Sequence, residues 1–497
     1  MKTLLPDEIF EIAYTNLGGR IGHLATKRGR ILTPTLLPVI DKRRQLVDPV
    51  TIRSMGFEAV ITNAYLLLKR KENVTDIHSF INFDGVVMTD SGAYQLLEYG
   101  NISVSQREVV ELQERINVDI GVMLDTPTGA KPGYREARKT VQSTLENARR
   151  FFNQKRAEDI LWVGPVQGGQ YSGLVSECAS RMAELPFHIY ALGSPTQFLE
   201  GYDYAKIVKM ITTAKRRLPP SRPIHLFGAG HPASLSLFVA LGIDLFDSAS
   251  YALFAKGDRY LTSFRTYRLE DLNEFPCVCN ICSKTTPAEL RLQPPDRRQK
   301  SLAEHNLWAI AQELRTIRQA IRYGTLWDLL RLRSEAHPSL RKALAELLKN
   351  ESILVKNHPV QGVNKSGMFA GNGRRPEFQL FRRRIELFLQ RKKIEKLIVF
   401  PPPWEKPVWP RAAKIAKEIG GYPAYLHPFY GIVPVTLTEV YPVFQTMVDK
   451  TRLNARMIAS ALRRTNVRRV VFYGSSQYYD AVKHTLAKHF ELLDVAK

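Results

Sequence analysis

Gly85-Val86-Val87-Met88-Thr89-Asp90 is a short apolar run that ends in a carboxylate. A run of this length without polar alternation is typical of a strand buried on both faces, as in a parallel sheet. Similar runs recur through the first 250 residues. The predicted strands are Ala59–Thr62, Gly85–Thr89, Ile120–Leu124, Leu161–Val166, His188–Leu192, Ile224–Phe227 and Leu245–Asp247.

Amphipathic stretches separate these runs. The predicted helices include Ser105–Ile116, Tyr134–Phe152, Tyr204–Leu218 and Pro232–Leu241. Repeated strand–helix alternation predicts a parallel sheet, either an open doubly wound sheet or a closed barrel. The number of strands favours a TIM (β/α)8 barrel. No Gly-x-Gly-x-x-Gly opens the first unit, which weakens the dinucleotide-binding alternative.

The length of 497 residues predicts at least two domains. We place the barrel domain at residues 1–350, with helices over Leu302–Asn350, and a smaller α/β domain at residues 351–497. Lys356–Glu377 is rich in Gly, Pro, Asn and Lys and is predicted to be a linker or mobile loop. The second domain should contain strands Lys396–Phe400 and Arg469–Tyr473 and helices around Arg411–Ile419, Thr451–Arg464 and Tyr479–His489.

The charge pattern indicates a polyanionic partner. The formal net charge is +23, and residues 351–497 carry 25 Lys and Arg against 11 Asp and Glu. Such an excess is typical of proteins that bind nucleic acid or an anionic membrane surface, although it also fits charge that serves solubility alone. Each basic cluster alone also fits a solvated helix face. The candidate phosphate contacts are Arg374–Arg375, Arg382–Arg384, Arg391–Lys393, Arg463, Arg464, Arg468 and Arg469.

No apolar run reaches the roughly 18 residues of a membrane span, and residues 1–10 do not resemble a signal peptide. We therefore expect no membrane association and a cytoplasmic location.

Three of the four cysteines lie within six residues, as Cys277, Cys279 and Cys282, and His305 follows. This crowding predicts a metal site inserted after the barrel rather than a disulfide framework, and it fits a reducing cytoplasm. Three thiolates and one imidazole would fill a tetrahedral Zn²⁺, which makes the site structural. The spacing of His305 also fits a second interpretation, a surface histidine that caps a helix. Cys178 is predicted to be a buried apolar residue.

Asp90, Asp125 and Asp247 each follow or end a predicted strand. In a parallel barrel the carboxyl ends of all strands share one face, so these side chains should lie near one another. A single aspartate after a strand is usually the N-cap of the following helix, and for the three together the pattern favours neither interpretation. Together they suit cleavage of an N-glycosidic bond, in which one carboxylate attacks the anomeric carbon and another transfers a proton to the leaving base.

Thr89-Asp90-Ser91-Gly92-Ala93-Tyr94-Gln95 resembles a signature of tRNA-guanine transglycosylases, and further segments resemble that family in the same order across Phe10–Leu348. These segments are Thr62–Tyr65, Met123–Asp125, Val166–Gly169, Gly228–Pro232, Leu245–Ala249 and the cysteine loop. The Phe246-Asp247-Ser248-Ala249 form and the segment His427–Gly431 are similar to archaeal members rather than bacterial ones.

The resemblance implies a role for each matching position. Asp247 would be the nucleophile at C1′ of the ribose, and Asp90 the general acid and base that also contacts the base. Tyr94 would stack on the heterocycle, whereas Asp125 and Gln167 would bind its guanine-like edge. Cys277, Cys279, Cys282 and His305 match the zinc ligands.

The resemblance also implies a reaction and partners. Archaeal members exchange guanine at position 15, in the D-arm of tRNA, for 7-cyano-7-deazaguanine (preQ0) through a covalent enzyme–ribose intermediate, the first step of archaeosine formation. The family forms homodimers, with the zinc region near the interface. The alternatives are an archaeosine-synthase-like paralogue and a non-catalytic tRNA-binding subunit, and the retained carboxylates disfavour both.

Two segments depart from the family pattern. Where members carry Gly and small residues after the fifth strand, this chain has Ile189-Tyr190-Ala191-Leu192-Gly193-Ser194, and Tyr190 is expected to occupy space near the base. Many archaeal members end in an RNA-binding PUA domain, and the C-terminal sequence shows no match to one. We expect such a domain to be absent or to be supplied by a separate PUA-domain protein.

Overall fold

The computed structural model describes residues 9–93, 104–129, 131–356, 368–369, 375–400, 408–440, 442–443, 446–447, 453–474 and 479–495. The chain divides into two compact units, Met1–Asn357 and His358–Lys497.

The first unit begins with an antiparallel sheet that the sequence analysis did not predict. Its strands are β1 (Phe10–Asn16), β2 (Gly19–Thr26) and β3 (Gly29–Leu32). The polar residues Glu11, Thr15 and Asn16 interrupt the apolar side chains of β1, so the strand lacks the continuous apolar run by which the barrel strands were recognised. Phe10, Leu24 and Ile31 of this sheet pack into the same core as the barrel-interior residues Leu37 and Met88.

Among the described residues, eight parallel strands follow in the order β4-β11-β10-β9-β8-β7-β6-β5. They are β4 (Thr35–Pro38), β5 (Ala59–Asn63), β6 (Val86–Asp90), β7 (Ile120–Val122), β8 (Leu161–Val166), β9 (Ile189–Leu192), β10 (Ile224–Leu226) and β11 (Leu245–Ser248). A parallel bridge between Val39 and Ile61 and a 2.8 Å hydrogen bond from the Ile40 N–H to the Ile61 carbonyl join the two end strands. The predicted TIM barrel is therefore confirmed. Strand β4 was missed because it has only four residues, bounded by prolines.

Helices surround the barrel, and the long helix Pro295–Tyr323 packs against Ser250–Lys256, which follows the last barrel strand. The helices are α1 (Pro49–Ser54), α2 (Ala64–Lys69), α3 (Ile77–Ile81), α4 (Gln106–Arg115), α5 (Tyr134–Gln154), α6 (Ser172–Ala183), α7 (Thr196–Glu200), α8 (Tyr204–Lys215), α9 (Pro232–Ala240), α10 (Ser250–Lys256), α11 (Pro287–Leu292), α12 (Pro295–Tyr323), α13 (Leu326–Ser334), α14 (Pro338–Leu348) and α15 (Glu351–Lys356). The cysteine loop lies between the hairpin β12 (Arg259–Leu261) and β13 (Thr266–Arg268), with its 3-10 turn Leu269–Asp271, and helix α11.

The second unit is α/β, as predicted, and its described strands form a five-stranded sheet in the order β17-β16-β15-β19-β20 and a short pair, β14 with β18. The strands are β14 (Met368–Phe369), β15 (Lys396–Phe400), β16 (Tyr422–His427), β17 (Gly431–Pro434), β18 (Thr446–Met447), β19 (Arg469–Tyr473) and β20 (Glu491–Val495). The helices are α16 (Pro376–Arg391), α17 (Val408–Ile419), α18 (Ala455–Leu462) and α19 (Asp480–Leu486), with a 3-10 turn at Val435–Leu437. Most of the segment predicted as a linker, Lys356–Glu377, lies outside the described residues.

A buried ion pair fastens the N-terminal sheet to the barrel. The Arg20 guanidinium donates to both carboxylate oxygens of Asp244, with Nε 2.9 Å from Oδ1, and to the Arg222 carbonyl at 3.0 Å. Asp244 also accepts a 2.8 Å hydrogen bond from the Ile224 N–H at the start of β10. The pair thus joins three segments at the end of the barrel where the strands begin.

We predict that Arg20→Met lowers the free energy of unfolding by about 3–5 kcal/mol, because it leaves the Asp244 carboxylate buried without its counter-ion. The matched control is Arg30→Met, since Arg30 and Glu11 form an exposed pair at 3.7 Å and such pairs contribute little. Urea denaturation of both variants measures the effect. Equal stability of the two variants would contradict a role for the buried pair.

Candidate active site

Three carboxylates lie at the end of the barrel where the strands terminate. Asp90 is the last residue of β6, Asp247 lies within β11, and Asp125 follows β7 by three residues. Burial and the negative charges of Asp125 and Asp247 raise the pKa of Asp90 to about 7. The structure therefore brings together the three aspartates that the sequence analysis selected, and at neutral pH Asp90 is able both to donate and to accept a proton.

Asp90 is held by its neighbours in the signature segment. The Asn63 amide donates to Asp90 Oδ2 at 3.3 Å, and Asn63 and Asp90 are paired across β5 and β6. The backbone N–H groups of Ser91 and Gly92 also donate to the carboxylate. Gly92 has a φ of +89°, and a Cβ at this position would lie 2.1 Å from Tyr65 Cβ. Only glycine permits this turn to fold back onto Asp90.

Asp125 is buried and rigidly oriented. Gln167 Nε2 donates to Asp125 Oδ2 at 2.5 Å. Gln167 Oε1 accepts from the Thr128 N–H and from the Ser194 hydroxyl, both at 3.0 Å. Burial raises the pKa of Asp125 to about 6, although the Gln167 hydrogen bond opposes that shift. Gln167 thus fixes the direction of the carboxylate, and its amide oxygen is already fully used.

Asp247 accepts two hydrogen bonds on one oxygen. The Gly228 N–H lies 3.1 Å from Oδ1, and His225 Nε2 lies 2.8 Å from the same atom. Because a carboxylate oxygen can only accept, Nε2 of His225 carries the proton. Within the described residues nothing donates to Oδ2, and the Asp247 side chain keeps 13% of its surface exposed. One oxygen is therefore anchored while the other is available for chemistry.

His225 was not among the site residues predicted from the sequence. The side chain is fully buried in the middle of β10, and its Nδ1 has no hydrogen-bond partner among the described residues. A histidine between apolar residues of a strand is usually a core residue, so the sequence pattern did not indicate a role for His225 in the site. Its place on β10, the strand that pairs with the one carrying Asp247, is the only signal that could have pointed to it.

The departure at Ile189–Ser194 does not obstruct the site. Tyr190 is buried between the barrel and the helices near Phe187, and its hydroxyl donates to the Leu185 carbonyl at 3.2 Å. The expectation that Tyr190 occupies space near the base is therefore wrong. The residue that meets the site is Gly193, where a Cβ would lie 2.1 Å from Gln167 Nε2, so the small residue of the family pattern is retained.

Predictions were also made for Tyr94 and Cys178. Tyr94 lies outside the described residues. Cys178 is fully buried beneath the site, where its Sγ accepts a 3.3 Å hydrogen bond from the Gln167 N–H. Burial raises the pKa of the Cys178 thiol to about 12, which excludes it as a nucleophile at neutral pH.

Cys277, Cys279, Cys282 and His305 form a cluster that could hold a metal ion, with their donor atoms all within 4.8 Å of one another. His305 Nδ1 lies 3.6 Å from Cys279 Sγ and 3.3 Å from Cys282 Sγ. A tetrahedral ion with metal–sulfur bonds of about 2.3 Å and metal–nitrogen bonds of about 2.0 Å requires S–N separations near 3.5 Å. His305 Nε2 donates to the Leu261 carbonyl at 2.9 Å, so Nδ1 is left to bind the metal.

Several predicted phosphate contacts of the second unit are already paired. Arg464 binds Glu386, Arg469 binds Glu491, and Arg375 forms a buried pair with Glu377. Arg391, Lys392 and Lys393 are exposed, whereas Arg374 lies outside the described residues.

Among the described residues, no helix combines the length and the apolar composition that a membrane span requires.

Comparison with known proteins gives consistent matches. The family model described as queuine tRNA-ribosyltransferase matches residues 15–339. A protein of Aeropyrum pernix is 42% identical over 90% of this chain and 90% of its own length. Relatives from Saccharolobus solfataricus and Pyrococcus abyssi are each 38% identical, over 93% and 88% of this chain and 96% and 71% of their own lengths. All three are named tRNA-guanine(15) transglycosylase.

We predict that Asp90→Asn stabilises the protein at high pH. The folded-state pKa of Asp90 is raised to about 7, so its contribution to stability is present below the unfolded pKa near 3.8 and is lost as the pH rises through 7. The variant avoids that loss, and its Tm should exceed that of the wild type by at least about 3 °C at pH 8 and by little at pH 4.

Thermal unfolding between pH 4 and pH 8 measures this difference. The control is Asp84→Asn, because Asp84 is exposed near the other end of β6. A difference between wild type and Asp90→Asn that does not change with pH would exclude the raised pKa.

Proposed function

Because the chain belongs to the queuine tRNA-ribosyltransferase family, we propose that it is a tRNA-guanine(15) transglycosylase that exchanges guanine at position 15 for preQ0 through a covalent enzyme–ribose intermediate. The observation that carries the proposal is the difference in environment between Asp247 and Asp90. Asp247 is anchored through one oxygen, whereas Asp90 has a pKa near neutrality. Nucleophile and proton carrier are the two roles that a double displacement requires.

In the first half-reaction, Asp247 Oδ2 attacks C1′ of the ribose and the C1′–N9 bond to guanine breaks. The bonding electrons stay on the base, which receives a proton from Asp90 and leaves as neutral guanine. In the second half-reaction, N9 of the incoming base attacks C1′, its proton passes to Asp90, and the bond to Asp247 breaks. The proton count is therefore unchanged after one exchange.

His225 and Gly228 act through Asp247. Their N–H groups hold Oδ1 at 2.8 and 3.1 Å, which leaves Oδ2 as the free oxygen for attack. Fixed donors of this kind need no reorganisation during the reaction, because they are oriented by strand β10 and the turn that follows it.

Asp125 is suited to binding a guanine-like edge. Guanine and preQ0 share a ring N–H beside an exocyclic amino group, and a carboxylate accepts two parallel hydrogen bonds. Adenine offers an unprotonated ring nitrogen there, which would repel the carboxylate. Gln167 orients Asp125 and keeps one amide hydrogen for the substrate. Tyr94, by the family resemblance, would stack on the base.

The substrate makes further demands on the enzyme. Position 15 lies within the folded tRNA, so the nucleotide must be flipped out for its C1′ to reach Asp247. The resemblance also implies a homodimer and a cytoplasmic enzyme, and a separate PUA-domain protein is a candidate partner. A non-catalytic tRNA-binding subunit and an archaeosine-synthase-like paralogue remain the alternatives, and the complete set of carboxylates disfavours both.

We propose that the cysteine cluster holds one Zn²⁺ per chain. Four protein ligands would fill a tetrahedral site and leave no position for water or substrate, so the ion would be structural. The Tyr260 ring stacks on His305 with centroids 3.6 Å apart, and this packing would tie the metal loop to the hairpin β12–β13. No step of the exchange reaction involves the metal.

We predict that the wild-type protein releases labelled guanine from position 15 of tRNA when preQ0 is added, and that Asp247→Asn lowers the rate by at least about 10³-fold, because it removes the nucleophile. Denaturing gels of a wild-type reaction should show a slowly migrating protein–tRNA species that the variant lacks. A tRNA with adenine at position 15 is the substrate control. Unchanged exchange by Asp247→Asn would contradict the mechanism, and tRNA binding by the wild type without exchange would favour the non-catalytic subunit.

We predict one equivalent of zinc in the purified chain, loss of that zinc in Cys279→Ser, and a lower Tm for this variant, because metal binding contributes directly to folding stability. Metal analysis by mass spectrometry and thermal unfolding provide readouts that do not depend on activity. Cys178→Ala is the matched control and should keep its zinc, since Cys178 lies in the apolar core. Full zinc content in Cys279→Ser would exclude the proposed site.

A further inference from the structure

A cluster of cations lies beside the barrel mouth, on a segment that plays no part in the chemistry described above. The loop after β7 and the first turns of α5 expose Lys131, Arg135, Arg138 and Lys139, with Glu136 as the single acid among them. We call Lys131–Lys139 the rim segment. Among the described residues, none of its four cations forms an ion pair or a hydrogen bond. These charges are therefore available to a partner, in contrast to Arg464 and Arg469 of the second unit.

The residues that flank the rim segment on both sides are fastened to the active site by polar contacts. Thr128 donates its N–H to Gln167 Oε1 at 3.0 Å, and its hydroxyl lies 2.9 Å from that of Thr140 on α5. The Thr126 N–H donates to the Thr144 hydroxyl at 3.0 Å. The inward face of α5 thus holds the loop that carries Asp125, and the cations occupy its outward face.

The length of the connecting chain limits the distance from Lys131 to Asp125 in the mouth. Lys131 follows Asp125 by six residues, so their Cα atoms lie at most about 20 Å apart. A nucleotide bound in the mouth has neighbours along its strand within that reach. The phosphates of those neighbours are therefore the anions that the rim segment can meet.

An aromatic side chain stands among the cations. Tyr134 keeps 53% of its surface exposed, and its ring packs edge-on against Tyr171 with centroids 5.3 Å apart. The Tyr171 hydroxyl donates to the Pro132 carbonyl at 2.9 Å, which fixes this pair on the loop. Exposed aromatic rings within a basic surface are typical of sites for unpaired nucleic acid, where a base or ribose stacks on the ring.

We propose that the rim segment binds the tRNA strand next to the flipped nucleotide, with Lys131, Arg135, Arg138 and Lys139 on its phosphates and Tyr134 against an unpaired base or ribose. This assignment rests on the proposed function, because it takes tRNA as the partner. It differs from a merely solvated helix face in one respect: removal of the cations must weaken tRNA binding and make it less dependent on salt.

The test uses the full chain with Arg135→Ser/Arg138→Ser and, separately, Tyr134→Ala. The matched control is Arg149→Ser/Arg150→Ser, which removes the same charge from exposed positions of the same helix, roughly 20 Å further along its axis. Of these two, Arg150 pairs with Glu146 at 3.3 Å on the helix surface. We measure tRNA affinity by fluorescence anisotropy at several salt concentrations, the KM for tRNA and kcat in guanine exchange, and the affinity for free preQ0.

We expect the rim variant to raise the Kd and KM for tRNA at least about tenfold and to reduce the salt slope by about one for each phosphate that the variant no longer binds. Its kcat and its affinity for preQ0 should stay near wild type, and the control should change little. Tyr134→Ala should weaken tRNA binding with an unchanged salt slope.

Equal effects of the rim and control variants, or a fall in kcat with an unchanged KM, would overturn the assignment. Failure of the proposed function gives a different result, because the wild type would then show no exchange. The anisotropy comparison still tests the rim segment in that case, and a wild type that binds no tRNA would overturn it as well.

Discussion

Closure of the barrel is the constraint on which the active site depends. The hydrogen bond from Ile40 to Ile61 joins β4 to β5, the two ends of the eight-stranded order. In an open sheet with the same order, β6 and β11 would be five strand spacings apart, or about 24 Å. Around the closed barrel they are separated only by β4 and β5. Asp90 and Asp247 can influence each other electrostatically because the sheet closes.

Closure also brings three carboxylates close together, and their mutual repulsion affects the three side chains unequally. Three like-charged groups share one partly dry mouth, so at least one of them must favour the protonated form. Asp90 is the group that favours its protonated form, because burial and the charges of the other two carboxylates raise its pKa to about 7. Asp247 instead receives two N–H donors from β10 and its turn. The proximity of the three carboxylates, which destabilises the fold, therefore also gives Asp90 and Asp247 different chemical properties.

The sequence predicted the parts of the fold that rest on continuous apolar runs. All seven proposed barrel strands are present within about two residues of their predicted ends, and the aspartates at their carboxyl ends converge because a parallel barrel requires it. The N-terminal sheet and β4 lacked that signal. His225 was missed because a buried histidine has the same pattern whether it fills the core or holds a carboxylate, and only the register of β10 against β11 distinguishes the two. The prediction for Tyr190 was wrong because the sequence alone did not show which side chains of β9 point into the barrel and which point out towards the helices.

The position of the basic residues follows from the chemistry of the mouth. A cation within about 4–6 Å of Asp90 would lower its pKa and remove the proton that the leaving base needs. The groups with the largest influence on that pKa include no lysine or arginine. Yet the substrate is a polyanion, and buried carboxylates repel it. Cations can therefore bind the tRNA phosphates without lowering the pKa of Asp90 only if they lie outside the mouth. There, water and salt screen their charge from Asp90 over roughly 8 Å, whereas a bound phosphate is in direct contact with them. The outward face of α5 meets this condition, since its opposite face is fastened to the loop that carries Asp125. Net charge summed over a domain does not reveal such a placement, because Glu386 and Glu491 already neutralise part of the more basic second unit.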